Sequence, residues 1–264
     1  MKQIQLPKII EEMIADKPFK IDNIGMSGNQ VLIFEDMVLK IEDGNDYVKE
    51  YVRIMQWLDG KLTVPKILAY EEEDGKSYLL MSKMEGEMSC DTYYLEHPDV
   101  LVSALACGLK LLWEVDIQDC PRVRDLDALL AEARWQVEND LVDLDNAQEG
   151  TFGENGFQSP ADLLEWLELN RPDFEPVFSH GDYCLPNVFL KEGKIKGFID
   201  LDRSGVCDKW NDIAICYRSL KNNISGKYGG KVYDNFDPNI LFDMLEIEPD
   251  WKKINYYILL DELF

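Results

Sequence analysis

The stretch His180-Gly181-Asp182-Tyr183-Cys184-Leu185-Pro186-Asn187, with Asp200 following thirteen residues after the asparagine in Gly197-Phe198-Ile199-Asp200, constrains this chain more than any other feature. Each residue type alone is ordinary, because Asp and Asn are common in turns. In this order they supply a carboxylate able to take the proton of an attacking hydroxyl, together with an amide oxygen and a second carboxylate able to hold a hard divalent cation. Phosphoryl transfer needs that set, so Asp182 is the candidate base and Asn187 and Asp200 the candidate magnesium ligands. His180 is read as a scaffold residue whose ring orients the loop, and His97, beside Pro98 in a polar turn, as a surface residue. Neither has partners at metal-ligand spacing, and zinc is not implied.

Charge narrows the partners. Across 264 residues, 27 Lys and Arg stand against 51 Asp and Glu, a formal net charge of −24, while 46% of positions are hydrophobic. Such a chain can bury sizeable cores and is not generally disordered. Its self-repulsion argues against nucleic acid and anionic membranes and favours cationic ligands in any acidic cleft. The longest apolar run, Val100 to Leu109, is ten residues long, well short of the roughly 20 that span a bilayer. The opening MKQIQLPKIIEEMIADK lacks a continuous apolar core and is not read as a signal peptide. Six scattered cysteines without a C-x-x-C pair fit a reducing cytoplasm.

The pattern along the chain is α+β. From Phe19 to Ile41 it reads as strands, with the small-residue loop Gly25-Met26-Ser27-Gly28-Asn29 ahead of a hairpin that turns at Glu35-Asp36. Helical spacing then runs from Asp46 to Leu58 before Asp59-Gly60, and two strands follow, joined by Asp74-Gly75. A lobe boundary is placed in Lys83 to Glu87, giving residues 1–84 as a β-rich nucleotide-binding lobe and 85–264 as a mainly helical lobe. In the second, helices are expected at Val100 to Trp113, Asp127 to Trp135, after Ser159-Pro160, around Ile213 to Leu220, and from Trp251 to Leu263. Residues 143–158, acidic and without periodicity, read as a long surface loop.

Lys40 stands in the otherwise apolar strand Val38-Leu39-Lys40-Ile41, a costly place for an ammonium unless it meets an anion. A nucleotide's phosphates would be that anion. A lysine in this role pairs with a glutamate on the following helix, and Glu50 is the candidate.

Taken together these segments resemble the aminoglycoside phosphotransferases, and most of all the 3′-phosphotransferases, or kanamycin kinases, whose fold is two-lobed and protein-kinase-like. The resemblance covers nearly the whole chain: GMS in the loop, WLDGKLTVPKIL after the helix, LLMS before the boundary, FSHGDYCLPN, GFIDLDRSGVCDKWNDIA, and the ending NYYILLDELF. It implies transfer of the γ-phosphoryl of ATP or GTP, with Mg2+, to a hydroxyl of a polycationic aminoglycoside, the 3′-OH in kanamycin-class drugs, and hence antibiotic resistance. It further implies Lys40 on the α- and β-phosphates with Glu50 pairing to it, Ser27 at the β-phosphate, and Ser82 to Met84 presenting backbone groups to adenine. Asp182 would be the base, Asn187 and Asp200 would hold magnesium, and Arg203 would help hold the catalytic loop. Arg218, Asp261, Glu262 and Phe264 with its carboxylate would bind the drug, with Asp182 beside it. The loop acids Glu149 and Glu154 are further candidates.

The chain departs from the family pattern at three places. Asp202 stands where glycine is usual. Val38 stands where an aromatic residue can stack on adenine. Glu50 lies seven residues before Trp57, where six is expected. The alternatives kept beside this reading are a kinase of another small alcohol on the same fold and a catalytically silent nucleotide-binding module. At the end of the last helix Asp261, Glu262 and the terminal carboxylate are expected to stand free and repel one another until a polyamine binds.

Overall fold

Burial alternates along Met37–Asp43: Met37, Leu39 and Ile41 are buried, while Val38, Lys40 and Glu42 are only partly so. That two-residue period gives the strand one core face and one face for other work. In this computed structural model the described residues are 6–22, 30–44, 46–234 and 236–264. The loop containing Ser27 lies outside them.

The chain divides into two units. The first runs to Glu85 and also takes in Lys196–Ile199; the second comprises Gly86–Ile195 and Asp200–Phe264. In the first, strands β1 (Lys20–Asp22), β2 (Gln30–Ile33), β3 (Met37–Asp43), β4 (Ile67–Glu73) and β5 (Lys76–Ser82) form an antiparallel sheet ordered β1-β2-β3-β5-β4. Helix α1 (Lys8–Ile14), which the sequence pattern did not suggest, lays Ile10 and Ile14 against Leu32, Phe34, Leu39, Ile41, Tyr78 and Leu80. Helix α2 (Asp46–Leu58) buries Val48, Tyr51, Val52, Ile54, Met55 and Leu58. The β4–β5 hairpin closes through Asp74 and Gly75, both at positive φ (52° and 76°), the conformation a two-residue turn needs to match strand twist.

The second unit is mostly helical. Strand β6 (Glu87–Met88) is followed by α3 (Thr92–Leu95), α4 (Pro98–Trp113), α5 (Leu126–Glu138) and α6 (Pro160–Leu169). After β7 (Pro176–Ser179) come a short 3-10 turn at Leu185–Asn187, β8 (Val188–Lys191), β9 (Lys194–Phe198) and β10 (Gly205–Asp208), then α7 (Lys209–Ile224), α8 (Ile240–Leu245) and α9 (Trp251–Asp261). Strand β7 pairs antiparallel with β10, and β6 with β8. Helix α4 is central, with Leu101, Leu105, Leu109 and Leu112 fully buried. Among the described residues no helix is long and apolar enough to cross a membrane.

Two features of this core position the loop after β7. Tyr183 is fully buried and donates its hydroxyl to the Leu105 carbonyl of α4 at 2.9 Å. Gly108, one turn along, makes room for it, because a Cβ there would overlap the Tyr183 hydroxyl. Ahead of β7, Glu175 accepts hydrogen bonds from Lys209 Nζ (2.6 Å), Trp210 Nε1 (3.0 Å) and Lys253 Nζ (3.1 Å), tying the start of α7 to α9. Lys209 chiefly, against a burial cost and helped by Trp210 and Lys253, holds the Glu175 carboxyl down to about 2.

Two outcomes follow. Gly108→Ala should destabilise the protein by about 1–3 kcal/mol through overpacking and lower turnover with it, measured by chemical denaturation and a coupled assay. Glu175 has a folded pKa below its unfolded value of 4.5, so its contribution is present above that value and is lost as pH falls toward about 2. Glu175→Gln should therefore flatten the acid limb of the stability curve in that window, and an unchanged limb would remove Glu175 from this role.

Candidate active site

The candidate residues divide between the units: Lys40, Glu50, Ser82 and Met84 lie in the first, and Asp182, Asn187, Asp200, Arg203, Arg218, Asp261, Glu262 and Phe264 in the second. Each group is built by different elements.

In the second unit the loop from His180 to Asn187 is held from α7. Asp212, in the first turn of that helix and fully buried, accepts the backbone N–H groups of His180 (2.7 Å) and Gly181 (3.0 Å). Seven residues later, on the same helix face, Ser219 Oγ accepts the N–H of Leu185 at 3.0 Å. One helix thus grips both ends of the loop. Burial pushes the Asp212 carboxyl up, while His180 and the N–H donors pull it back toward the ionised form. Gly181 has φ of 84°, and a Cβ there would collide with the Arg203 carbonyl. Only glycine lets the segment after Asp200 lie against the loop.

His180 is fully buried, stands edge-on to Tyr183, and accepts the Asp182 N–H at Nδ1 (3.3 Å), the scaffold role expected of it. His97 is exposed and precedes α4.

With His180, Tyr183 and Leu185 turned inward, Asp182 is left partly exposed. Its carboxylate accepts from Asn187 Nδ2 (2.9 Å), which also donates to the Asp182 carbonyl (3.0 Å). Committing the amide nitrogen in this way leaves Asn187 Oδ1, a hard oxygen, as the group to offer a cation. Cys184 points its thiol at Asp182 at 3.7 Å. Burial first, then the negative charges of Asp182 and Asp200, keep that thiol protonated, so it is a weak donor and no nucleophile. Asp200 takes φ of 55°, a left-handed conformation that Asp tolerates better than most residues and that is frequent where a side chain is aimed for function. Arg122 braces the segment after it, donating to the carbonyls of Leu201 (3.0 Å) and Ser204 (2.5 Å).

The acidic ending is not a cluster of free carboxylates, and that expectation is corrected. Asp261 accepts from Arg203 Nη1 at 2.9 Å and pairs with Arg218, whose Nη1 also donates to Glu262 at 3.0 Å. Glu262 further accepts the backbone N–H of Gln148 at 2.6 Å, so the acidic loop is tied to the end of α9. The Phe264 ring lies 4.9 Å from the Arg203 guanidinium. Burial opposes the charge of Arg218, but Asp261, Glu262 and Asp182 outweigh it and raise its pKa; burial likewise raises Glu262. The arginines relieve the mutual repulsion of these carboxylates without any ligand. Beside them opens a groove of about 1150 Å³ lined by Glu149, Arg218 and Asn222 among others, whereas Glu154 is simply exposed.

In the first unit Lys40 projects from the face of β3 opposite Leu39 and Ile41, with Leu79 of β5 beside it in register. Glu50 is on the exposed side of α2. From the same helix Tyr51 brings its ring centroid to 5.8 Å from Lys40 Nζ. Successive helical residues lie about 100° apart, so Glu50 and Tyr51 face different directions on α2. At the end of β5 the N–H of Ser82 is taken by the Lys66 carbonyl (2.8 Å) and that of Lys83 by the Asp36 carbonyl (3.0 Å). Those two donors are therefore already engaged. Met84 packs its thioether near Gly197.

Sequence motifs alone do not single out Asp212, Ser219 or Arg122. The one available signal for Asp212 was a single acid directly before the apolar run Ile213-Ala214-Ile215.

Comparison with known proteins agrees with this geometry. The sequence matches the phosphotransferase enzyme family, APH, over residues 23–243. It is 42% identical over 272 residues to an aminoglycoside 3′-phosphotransferase of Enterococcus faecalis, covering 98% of this chain and 97% of that protein. It is 40% identical over 267 residues to one of Staphylococcus aureus, covering 100% and 96%. The fold is similar to that of the aminoglycoside phosphotransferase APH(3'')-Id of Streptomyces rimosus, with TM-score 0.82 and 21% identity over 96% of this chain and 95% of that one. It is also similar to an aminoglycoside-3'-phosphotransferase of type VIII, with TM-score 0.71 and 22% identity over 97% of each. An antiparallel sheet followed by a mainly helical unit, a loop holding Asp182 and Asn187, and full-length relatives above 40% and at 40% identity place the chain in the phosphotransferase enzyme family, among the aminoglycoside phosphotransferases.

Proposed function

We propose that this protein is an aminoglycoside 3′-phosphotransferase that moves the γ-phosphoryl group of a nucleoside triphosphate to the 3′-OH of kanamycin-class drugs and so confers resistance. The observation that carries the reading is the Asp182 carboxylate, partly exposed and held by the Asn187 amide in a loop that turns His180, Tyr183 and Leu185 inward. The relatives in Enterococcus faecalis and Staphylococcus aureus, named for 3′-phosphotransfer, support the acceptor. A related structure is described in complex with ADP and streptomycin. The six cysteines are free thiols, which suits a cytoplasmic enzyme.

Asp182 accepts the hydroxyl proton of the drug as its oxygen bonds to the γ-phosphorus and the bond from that phosphorus to the β–γ bridging oxygen breaks. Asn187 Oδ1 and the Asp200 carboxylate are oxygen donors that suit Mg2+, which usually takes one or two protein carboxylates and fills its shell with water and substrate phosphates. Among the described residues no cluster of three or more His, Cys, Asp or Glu forms an all-protein metal cage. When bound, magnesium neutralises charge on the phosphates. Lys40 takes the α- and β-phosphates of ATP or GTP, and the segment Ser82 to Met84 meets the base. Ser27 keeps its proposed place at the β-phosphate, outside the described residues. Arg203 braces the catalytic loop through Asp261 and the close approach at Gly181.

Drug ammonium groups are bound by Asp261 and Glu262 beside Phe264, sharing those carboxylates with Arg203 and Arg218. A carboxylate has about four lone-pair directions, so it can accept from an arginine and an ammonium together. Net charge of −24 steers the polycation inward.

Purified protein should consume nucleotide in the presence of kanamycin, and a 3′-deoxy drug such as tobramycin should bind without being phosphorylated at that position. Asp182→Asn should lower kcat by about 10²- to 10⁴-fold while drug affinity, read by calorimetry, changes far less; near-normal turnover would exclude Asp182 as base. The double substitution Asp261→Asn with Glu262→Gln should raise drug KM by about tenfold or more and leave nucleotide KM nearly unchanged. The effect should shrink in high salt, and an unchanged drug KM would move the acceptor site elsewhere, toward the loop at 143–158.

A further inference from the structure

We propose that the groove beside the acidic ending selects aminoglycosides by charge, taking hydroxyl-rich sugar rings and turning away ammonium-rich ones through Lys221, Lys227 and Lys252. The inference rests on the reading of Asp261 and Glu262 as ligands of drug ammonium groups, and names which drugs that site admits. The groove adjoins those carboxylates within the second unit. Arg218 lines it and donates to Glu262, and Gln148, also in its lining, gives its N–H to the same carboxylate. Its volume of about 1150 Å³ exceeds the range of about 300–1,000 Å³ usual for a drug-sized ligand, so it has room for rings of the drug beyond the one that reacts.

The charge of this lining runs against that of the chain. Acids outnumber bases by 51 to 27 over the whole sequence, yet six bases and three acids line the groove. Arg171, Arg218 and Lys253 are bound by carboxylates outside the lining. Lys221, Lys227 and Lys252 are exposed and, among the described residues, make no ion pair. Of the lining acids, Asp250 is engaged in capping α9, accepting the N–H groups of Lys252 at 3.0 Å and Lys253 at 3.1 Å. Helix stability accounts for Lys221, in the last turn of α7, where a cation complements the macrodipole. It does not account for Lys252, which stands in the first turn of α9, at the positive end of the macrodipole. Lys227 follows α7 with its N–H on the Asn222 carbonyl at 3.1 Å, and its charge reaches Glu262.

An ammonium-rich ring in the groove would meet these three cations. A hydroxyl-rich ring instead gains partners, because each lysine donates to hydroxyl oxygens and Asn222, whose Nδ2 is turned to the Tyr228 hydroxyl at 3.3 Å, keeps an amide oxygen as acceptor. Trp166 and Trp251, 36% and 44% exposed, present aromatic faces to the apolar face of a sugar.

Neomycin and ribostamycin separate the two effects, since both present a 3′-OH and neomycin is ribostamycin with one further ring bearing amino groups. Values of kcat/KM are measured on the full-length protein with saturating MgATP in low and high salt. The unmodified protein should favour ribostamycin in low salt, and the neomycin-to-ribostamycin ratio should rise as salt screens the lysines. Steering by the net charge of the chain alone gives the opposite on both counts, and that result overturns the proposal even where no variant folds. The triple substitution Lys221→Gln, Lys227→Gln and Lys252→Gln should raise the low-salt ratio by about three- to tenfold. The same change of net charge outside the groove, Lys8→Gln with Lys20→Gln and Lys194→Gln, should leave the ratio where it was. An equal rise in both triple variants, or none in the groove variant, overturns the proposal and leaves the acceptor reading standing. If neomycin, ribostamycin and kanamycin all go unphosphorylated, the acceptor reading itself falls, and this inference with it.

Discussion

A carboxylate with no exposed surface sits at the centre of the second unit. Asp212 is ionisable, fully buried, and in the first turn of α7. An isolated charge there would be costly, so it must be satisfied by donors. The donors are the backbone N–H groups of His180 and Gly181, with the positive end of the helix macrodipole adding to them. That requirement fixes where β7 ends and how the loop leaves it. Ser219, two turns along, fixes where the loop ends. The span between them admits Tyr183 inward under α4 and leaves Asp182 facing out, so the geometry of the proposed base descends from the need to pair a buried carboxylate.

The same logic operates at the end of α9 with the signs exchanged. Asp261 and Glu262 would repel each other at the negative end of a helix, and Arg203 and Arg218 bridge them. Arg203 belongs to the segment following Asp200, and Glu262 holds the N–H of Gln148. The ion pairs therefore join three distant parts of the chain, and Asp182 lies within the field of Arg218. The cationic acceptor proposed for this site would enter a network already close to balance, gaining from carboxylate lone pairs rather than from released repulsion. Pairs this well buried contribute through geometry more than through net stability.

Much of this was legible in residue order. The motif from His180 to Asn187 with Asp200, Lys40 in an apolar strand, the turn at Asp74-Gly75, and the Ser159-Pro160 helix start are local signals, because turn dihedrals, caps and two-residue alternation depend on near neighbours. The α+β pattern follows from the change of period from strand to helix. What local pattern leaves open is register. Glu50 and Tyr51 differ by one step, and a helix changes direction by about 100° per residue, so which of them faces β3 is set by packing although the helix itself was expected.

Tertiary packing decided the rest. Residues 196–199 join the first unit although their neighbours belong to the second; Ser179 pairs with Gly205, and Arg203 with Asp261, across long separations in the chain. No window of sequence contains both partners of such contacts, and helical spacing alone suggested that the C-terminal acids stand free. The sequence by itself determined which chemical groups the protein possesses and which local conformations they prefer. Which carboxylate is buried and paired, which is shared with arginine and which faces solvent was decided only when the helices packed, because the cost of a charge depends on its surroundings rather than on its neighbours along the chain.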